Sequence, residues 1–182
     1  PLNIKDKMRK RLKLSRPSLR TWARPPKHRS VCGSQFSAAN LPGILQLQNC
    51  TDCGHVQYPP AELCGACLGS TLIYKETACT GTLLAQSQLH HSLWEYFKRR
   101  IKRAPWPIAS VQLDVGPVAI VHLTELDLDT GDRVKVFSHS DASRSVVLIA
   151  VPAATDITTP ELRQAVIVGR QLDKSAERLK GV

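Results

Sequence analysis

Cys50-Thr-Asp-Cys53-Gly54 and Cys64-Gly-Ala-Cys67-Leu-Gly69 are two C-x-x-C units, each followed closely by glycine and separated by ten residues. A C-x-x-C turn brings two thiolates to one side while its backbone amides point at the sulfurs, and a trailing glycine permits the tight turn. Two such knuckles supply the four tetrahedral ligands that zinc prefers, which is the form of a zinc ribbon. With Cys50, Cys53, Cys64 and Cys67 filling the shell, no position is left for water or substrate, so the expected zinc is structural. A four-cysteine iron centre uses the same geometry and stays open as the alternative. Disulfides fit less well: cytosolic thiols stay reduced, and a redox C-x-x-C would not arrive in duplicate with matching glycines. Cys32 and Cys79 lack a partner spacing and read as ordinary buried or half-buried thiols. His55 reads as a neighbour of the first knuckle.

On the C-terminal side of the knuckles, short β-branched runs follow. They are Thr80-Gly-Thr-Leu-Leu-Ala-Gln-Ser, Ile108-Ala-Ser-Val-Gln-Leu-Asp-Val, Val118-Ala-Ile-Val-His-Leu, Asp132-Arg-Val-Lys-Val-Phe-Ser and Arg144-Ser-Val-Val-Leu-Ile-Ala-Val. These predict five strands. Asp114-Val-Gly116-Pro117 forms a hairpin turn, and Asp127 to Asp132, with Gly131, forms the next. The pattern suits a small, partly open barrel of the OB type, and other small barrels would fit the same spacing.

Between the first two of these strands lies a segment running from His90 to Pro107. Ser92 and Glu95 suit the start of a short helix that Pro105 ends. Lys98, Arg99, Arg100, Lys102 and Arg103 cluster there, flanked by Trp94, Tyr96, Phe97 and Trp106. Positive charge beside aromatic surface fits a nucleotide or single-stranded nucleic acid. A helix with aromatic residues in the core and cations in water fits equally.

The formal net charge of +10 belongs to one end of the chain. Residues 1–30 hold eleven Lys or Arg and one acid, Asp6, which leaves 14 basic and 14 acidic residues in 31–182. Such an arm suits solvent or an acidic partner protein ahead of nucleic acid. Residues 3–14 predict a thin-faced helix, whereas Pro17, Pro25, Pro26 and Pro42 predict an extended connector from Ser15 to Gly43. At the other end, Thr159-Pro160-Glu161-Leu162 predicts a helix start, with the helix running to about Leu179 and extending from the barrel toward a partner. A hydrophobic fraction of 42% suits a globular chain, and no apolar run approaches the roughly 20 residues of a membrane-spanning helix. The N-terminus shows no signal-peptide pattern, so the expected location is the cytoplasm.

The ribbon spacing with Tyr58-Pro59-Pro60 between the pairs, followed by a barrel containing Ala109-Ser-Val-Gln-Leu-Asp-Val-Gly116-Pro117, resembles the acyl-CoA-associated OB-fold family with a rubredoxin-like zinc ribbon. The likeness covers residues 44–151. It implies a zinc ribbon (44–75) followed by a five-stranded OB-type barrel (76–151) in a mainly β chain; the basic arm and connector (1–43) and the helical tail (152–182), set apart by composition, fall outside it. It also implies an accessory subunit in a hetero-oligomer with a thiolase-fold enzyme, such as a thiolase, acyltransferase or aldolase. Such a subunit stabilises its partner and helps form the acyl-CoA channel, while the catalytic residues lie on the partner. His90, His91 and His122 show no base-and-nucleophile arrangement in the sequence. On this reading Lys98, Arg99, Arg100, Lys102 and Arg103 contact coenzyme A phosphates at the partner interface. The rival is a zinc-ribbon and OB module that binds nucleic acid.

Overall fold

The computed structural model describes residues 30–91, 105–124, 128–140 and 146–169. The predicted helices over 3–14 and 92–104, the basic cluster Lys98 to Arg103, and the tail beyond Gly169 lie outside these residues.

The chain enters through helix α1 (Val31–Ala39). Extended structure was expected here, but the prolines fall on either side of the helix, and Ser30 caps its start by accepting a hydrogen bond from the Gly33 N–H at 3.1 Å. Cys32 and Phe36, one turn apart, give it a buried face. The helix ends at Asn40, a fully buried residue. Its amide nitrogen donates to the carbonyls of Phe36 and Gln46, and its oxygen accepts from the Gln46 N–H.

Three strands form the ribbon sheet: β1 (Gln46–Cys50), β2 (Val56–Gln57) and β3 (Leu72–Glu76), in the order β2-β1-β3. Helix α1 packs on it through Phe36, whose ring lies 5.7 Å from that of Tyr58 and 6.4 Å from that of Tyr74. Tyr74 also donates its hydroxyl to the Cys32 carbonyl at 3.2 Å.

The second sheet contains β4 (Thr80–Leu89), β5 (Trp106–Leu113), β6 (Val118–Leu123), β7 (Arg133–Ser140) and β8 (Val146–Pro152). The five expected strands are all present, in the ring order β4-β5-β6-β8-β7, with β6 and β8 parallel. The barrel is closed rather than partly open. A long first strand with a register shift between Leu83 and Ala85 bends far enough for Thr80–Thr82 to reach Lys135–Arg133 of β7. Gly81 sits where β4 crosses closest to β5: a Cβ there would lie 2.6 Å from the Gln112 carbonyl oxygen.

Ribbon and barrel share one core. Phe36, Leu45 and Leu47 belong to the same buried cluster as Leu83, Val111, Val121, Val134 and Val136. The junction is polar and satisfied, because Ser138 of β7 donates its hydroxyl to the carbonyls of Asn40 at 2.9 Å and Ile44 at 3.2 Å.

A second cluster lies outside the barrel, where Phe137, Ile149 and Val151 meet Ile157 and Ile167. Helix α2 (Pro160–Gly169) starts where the sequence places it, with Thr159 accepting from the Leu162 N–H. Its described turns pack on the barrel instead of projecting, because Ile167, 2% exposed, supplies an anchor beside Val166. Trp106 also departs from the sequence reading. It opens β5, packs on this cluster and donates its indole N–H to His122 Nδ1 at 2.7 Å, so His122 does have a partner.

Candidate metal centre

The sulfurs of Cys50, Cys53, Cys64 and Cys67 all lie within 4.8 Å of one another. Cys50 approaches Cys67, and Cys53 approaches Cys64, at 3.6 Å each. Four thiolates at about 2.3 Å from a tetrahedral zinc stand about 3.8 Å apart, so the residues fit the ion. His55 is exposed and stays outside the group. Cys32 is buried in α1 and Cys79 is half-buried, as expected of ordinary thiols.

The two knuckles repeat one backbone pattern. In the first, the Gly54 N–H donates to the Cys50 carbonyl and the Cys50 N–H to the His55 carbonyl, both at 2.9 Å. In the second, the Leu68 N–H donates to the Cys64 carbonyl at 3.0 Å and the Cys64 N–H to the Gly69 carbonyl at 2.8 Å. Gly54 takes the left-handed conformation this turn needs, with φ of 75°, but its counterpart is Leu68, with φ of 61°. The turn role that the sequence suggested for Gly69 therefore falls to Leu68. Gly69 leaves room for a neighbour instead, since a Cβ on it would lie 2.5 Å from Asp52 Oδ2 and 3.3 Å from Cys67 Sγ, and the Asp52 carboxylate would have to shift. Asp52 belongs to the first knuckle and accepts from the Thr71 hydroxyl at 3.1 Å, which ties the two halves of the site together.

Two buried glutamines, missed at the sequence level, hold the connection between the knuckles. Gln48 accepts from the Ala61 N–H at 2.8 Å and donates to the Ala61 carbonyl at 3.0 Å. Gln57 donates to Gln48 Oε1 at 2.9 Å and to the Leu63 carbonyl at 3.2 Å, and it accepts from the Gly65 N–H at 2.9 Å. Both side chains thereby satisfy backbone groups of a loop that has no strand partner. Glutamine in a strand reads as surface, so nothing in the linear pattern marks this pair.

Four thiols this close cannot ionise independently. The Cys67 N–H, with that of Ala66, brings Cys64 down to about 6. The Gly69 N–H draws Cys67 down, but the sulfurs of Cys53 and Cys50 outweigh it and push Cys67 up to about 12. At Cys53 the His55 N–H is likewise outweighed, by burial and by neighbouring sulfurs, and the thiol rises above its ordinary value. At neutral pH Cys53 and Cys67 thus keep protons that an incoming zinc must displace. Because protons are products of binding, raising the pH favours uptake and lowering it favours release. Zinc affinity near pH 7 is expected to rise at least about 100-fold per pH unit, as measured by competition with a chromogenic chelator across pH 6–8.

The barrel presents one further polar constellation next to the Asp114-Val-Gly116-Pro117 turn. Arg133 of β7 grips Asp114 with both guanidinium nitrogens, at 2.8 and 2.5 Å, and Thr80 donates to the same carboxylate. The Arg133 hydrogen bonds, with that of Thr80, hold Asp114 down at about 2. The aspartate of the turn therefore fastens the strand pair that closes the barrel, while Gly116, with φ of 122°, makes the reversal.

Residues 43–72 match the family described as "ChsH2, rubredoxin-like zinc ribbon domain". Among solved structures, a chain titled "Ltp2-ChsH2(DUF35) aldolase" superposes with a TM-score of 0.56 at 21% identity, covering 72% of this chain and 100% of that one. That likeness is one of fold. No curated protein matches the chain significantly by sequence. The ribbon thus matches the ChsH2 ribbon model, which bears out the resemblance read from the cysteine spacing, and the barrel agrees with that resemblance in fold.

Proposed function

We propose that this chain, with its ChsH2-type ribbon joined to an OB-type barrel, is a non-catalytic accessory subunit that binds and stabilises a thiolase-fold acyl-CoA enzyme in the cytoplasm. The observation that carries this reading is the metal centre itself. Four sulfurs would fill a tetrahedral zinc's coordination shell, and the ribbon that carries them shares a core with the barrel, which suits a rigid platform rather than a reaction site. The relation to a chain titled as part of an Ltp2–ChsH2 aldolase supports a partner of that class.

Within such a complex the subunit helps form the acyl-CoA channel, and Lys98, Arg99, Arg100, Lys102 and Arg103 lie at the partner interface and contact the phosphates of coenzyme A, because charge-assisted hydrogen bonds to phosphate call for this chemistry. A nuclease-treated affinity pull-down from host lysate tests the partner. A stoichiometric thiolase-fold enzyme is expected to remain bound, and recovery of nucleic acid alone would sink the proposal. With that enzyme in hand, replacing Arg99, Arg100 and Lys102 together by Ala is expected to raise KM for acyl-CoA about tenfold or more without dissociating the complex. An unchanged KM with an intact complex would remove the phosphate assignment.

The basic arm and the barrel favour nucleic acid as the second reading. Against it, residues 30–74, which include the whole knuckle region, contain no Lys or Arg.

A further inference from the structure

Leu68 combines two costs. Its left-handed backbone is the conformation that glycine adopts freely in the equivalent position of the first knuckle, and its side chain is 72% exposed. Neither packing among the described residues nor the turn explains a leucine there, and a strained residue kept at an exposed position points to a binding role. Leu63, on the other flank of the same knuckle, is 50% exposed.

Both leucines stand on fixed backbone. The Leu68 N–H is held by the Cys64 carbonyl, and the Leu63 carbonyl by the buried Gln57 side chain. The stretch of chain that carries them has charge of one sign: between Ser30 and Tyr74 it holds Asp52 and Glu62 and no Lys or Arg. Both acids are exposed. Exposed leucines with Glu62 beside Leu63 in the chain and Asp52 against Gly69, next to Leu68, disfavour phosphate and anionic lipid and complement an apolar hollow rimmed by basic residues.

We infer that Leu63 and Leu68 form a preorganised knob that inserts into an apolar, basic-rimmed hollow on the protein partner. This rests on the accessory-subunit reading and specifies the surface through which it operates. Burying a leucine that is already fixed in its bound conformation adds affinity with little ordering cost.

The test uses the full-length chain and the purified thiolase-fold enzyme recovered with it, with affinity measured by calorimetry. Leu68→Gly relieves the backbone, so its unfolding midpoint is expected to stay level or rise by about 2–4 °C, while Kd for the enzyme weakens about tenfold or more. Leu63→Ser is expected to weaken Kd similarly with zinc content unchanged. Glu62→Lys is expected to weaken binding and to flatten its dependence on salt. A residue of purely structural importance could not give greater stability together with weaker binding. If the wild type binds and all three variants bind equally well, the knob is overturned while the accessory reading stands. If the wild type itself fails to bind, the accessory reading falls and the knob falls with it. Self-association of the chain alone that is lost in Leu68→Gly, seen by sedimentation, would assign the knob to a second copy and overturn the partner assignment.

Discussion

Replacing Cys64 by Ser is expected to abolish zinc binding and to unfold the ribbon while also loosening the barrel. Cys64 is fully buried and contacts Cys53, so serine leaves a hard oxygen where a thiolate should close the shell. Structural zinc contributes about 10–16 kcal/mol of apparent binding energy in isolated fingers, comparable with or larger than the whole stability of an ordinary domain. The ribbon strands are short, and β2 has only two residues, so little else holds them. The effect spreads because Leu45 and Leu47, both at or below 2% exposure, sit in the barrel's own core cluster. Withdrawing both side chains costs the barrel about 3–6 kcal/mol. Metal analysis should show loss of the ion, and hydrogen exchange should show lost protection in β1 and β3 together with weakened protection in β4 and β7. Cys32→Ala and Cys79→Ala are the controls and should retain full zinc. A Cys64→Ser protein that kept its barrel protection at the wild-type level would show that ribbon and barrel fold independently.

The next largest effect is expected at Asn40. Its side chain makes three hydrogen bonds to backbone at the turn between α1 and β1, and its own carbonyl receives the Ser138 hydroxyl from the barrel. Asn40→Ala leaves the part-buried N–H and carbonyl of Gln46 without their side-chain partner, each costing about 1–3 kcal/mol, while the Phe36 carbonyl keeps the backbone N–H of residue 40, so a loss of about 3 kcal/mol is expected from urea unfolding. Ser138→Ala should cost less, about 1–2 kcal/mol, since it removes one donor and leaves two acceptors. The two substitutions touch the same junction, so the double variant should lose less than the sum of the singles. Strict additivity would mean that the turn and the barrel strand are not coupled there.

Much of this architecture is legible in the chain because its signals are local. The metal ligands are written at C-x-x-C spacing, and the barrel strands appear as alternating β-branched runs bounded by Gly116 and Gly131. The start of α2 is spelled by Thr159 and Pro160. Where the reading departs from the structure, a local signal was either weak or outvoted. Prolines on both sides concealed α1, whose cap and two buried residues become compelling only with Tyr58 and Tyr74 in place to receive Phe36. In the same way, α2 carries one strongly buried residue, Ile167, and too narrow a stripe to announce that it docks on the barrel.

Residue type and spacing alone disclose the clustered cysteines, the five-strand pattern and the confinement of the net positive charge to the first thirty residues. Folding in three dimensions sets the rest: ribbon and barrel share a core, Leu68 rather than Gly69 carries the left-handed turn, Gln48 and Gln57 brace the knuckles, and Asp114 serves Arg133. These features join residues distant along the chain, as Ser138 joins Asn40, and no local propensity encodes such a pairing. They arise because folded backbone must bury its polar groups with partners, and the partner within reach is known only once the strands have closed.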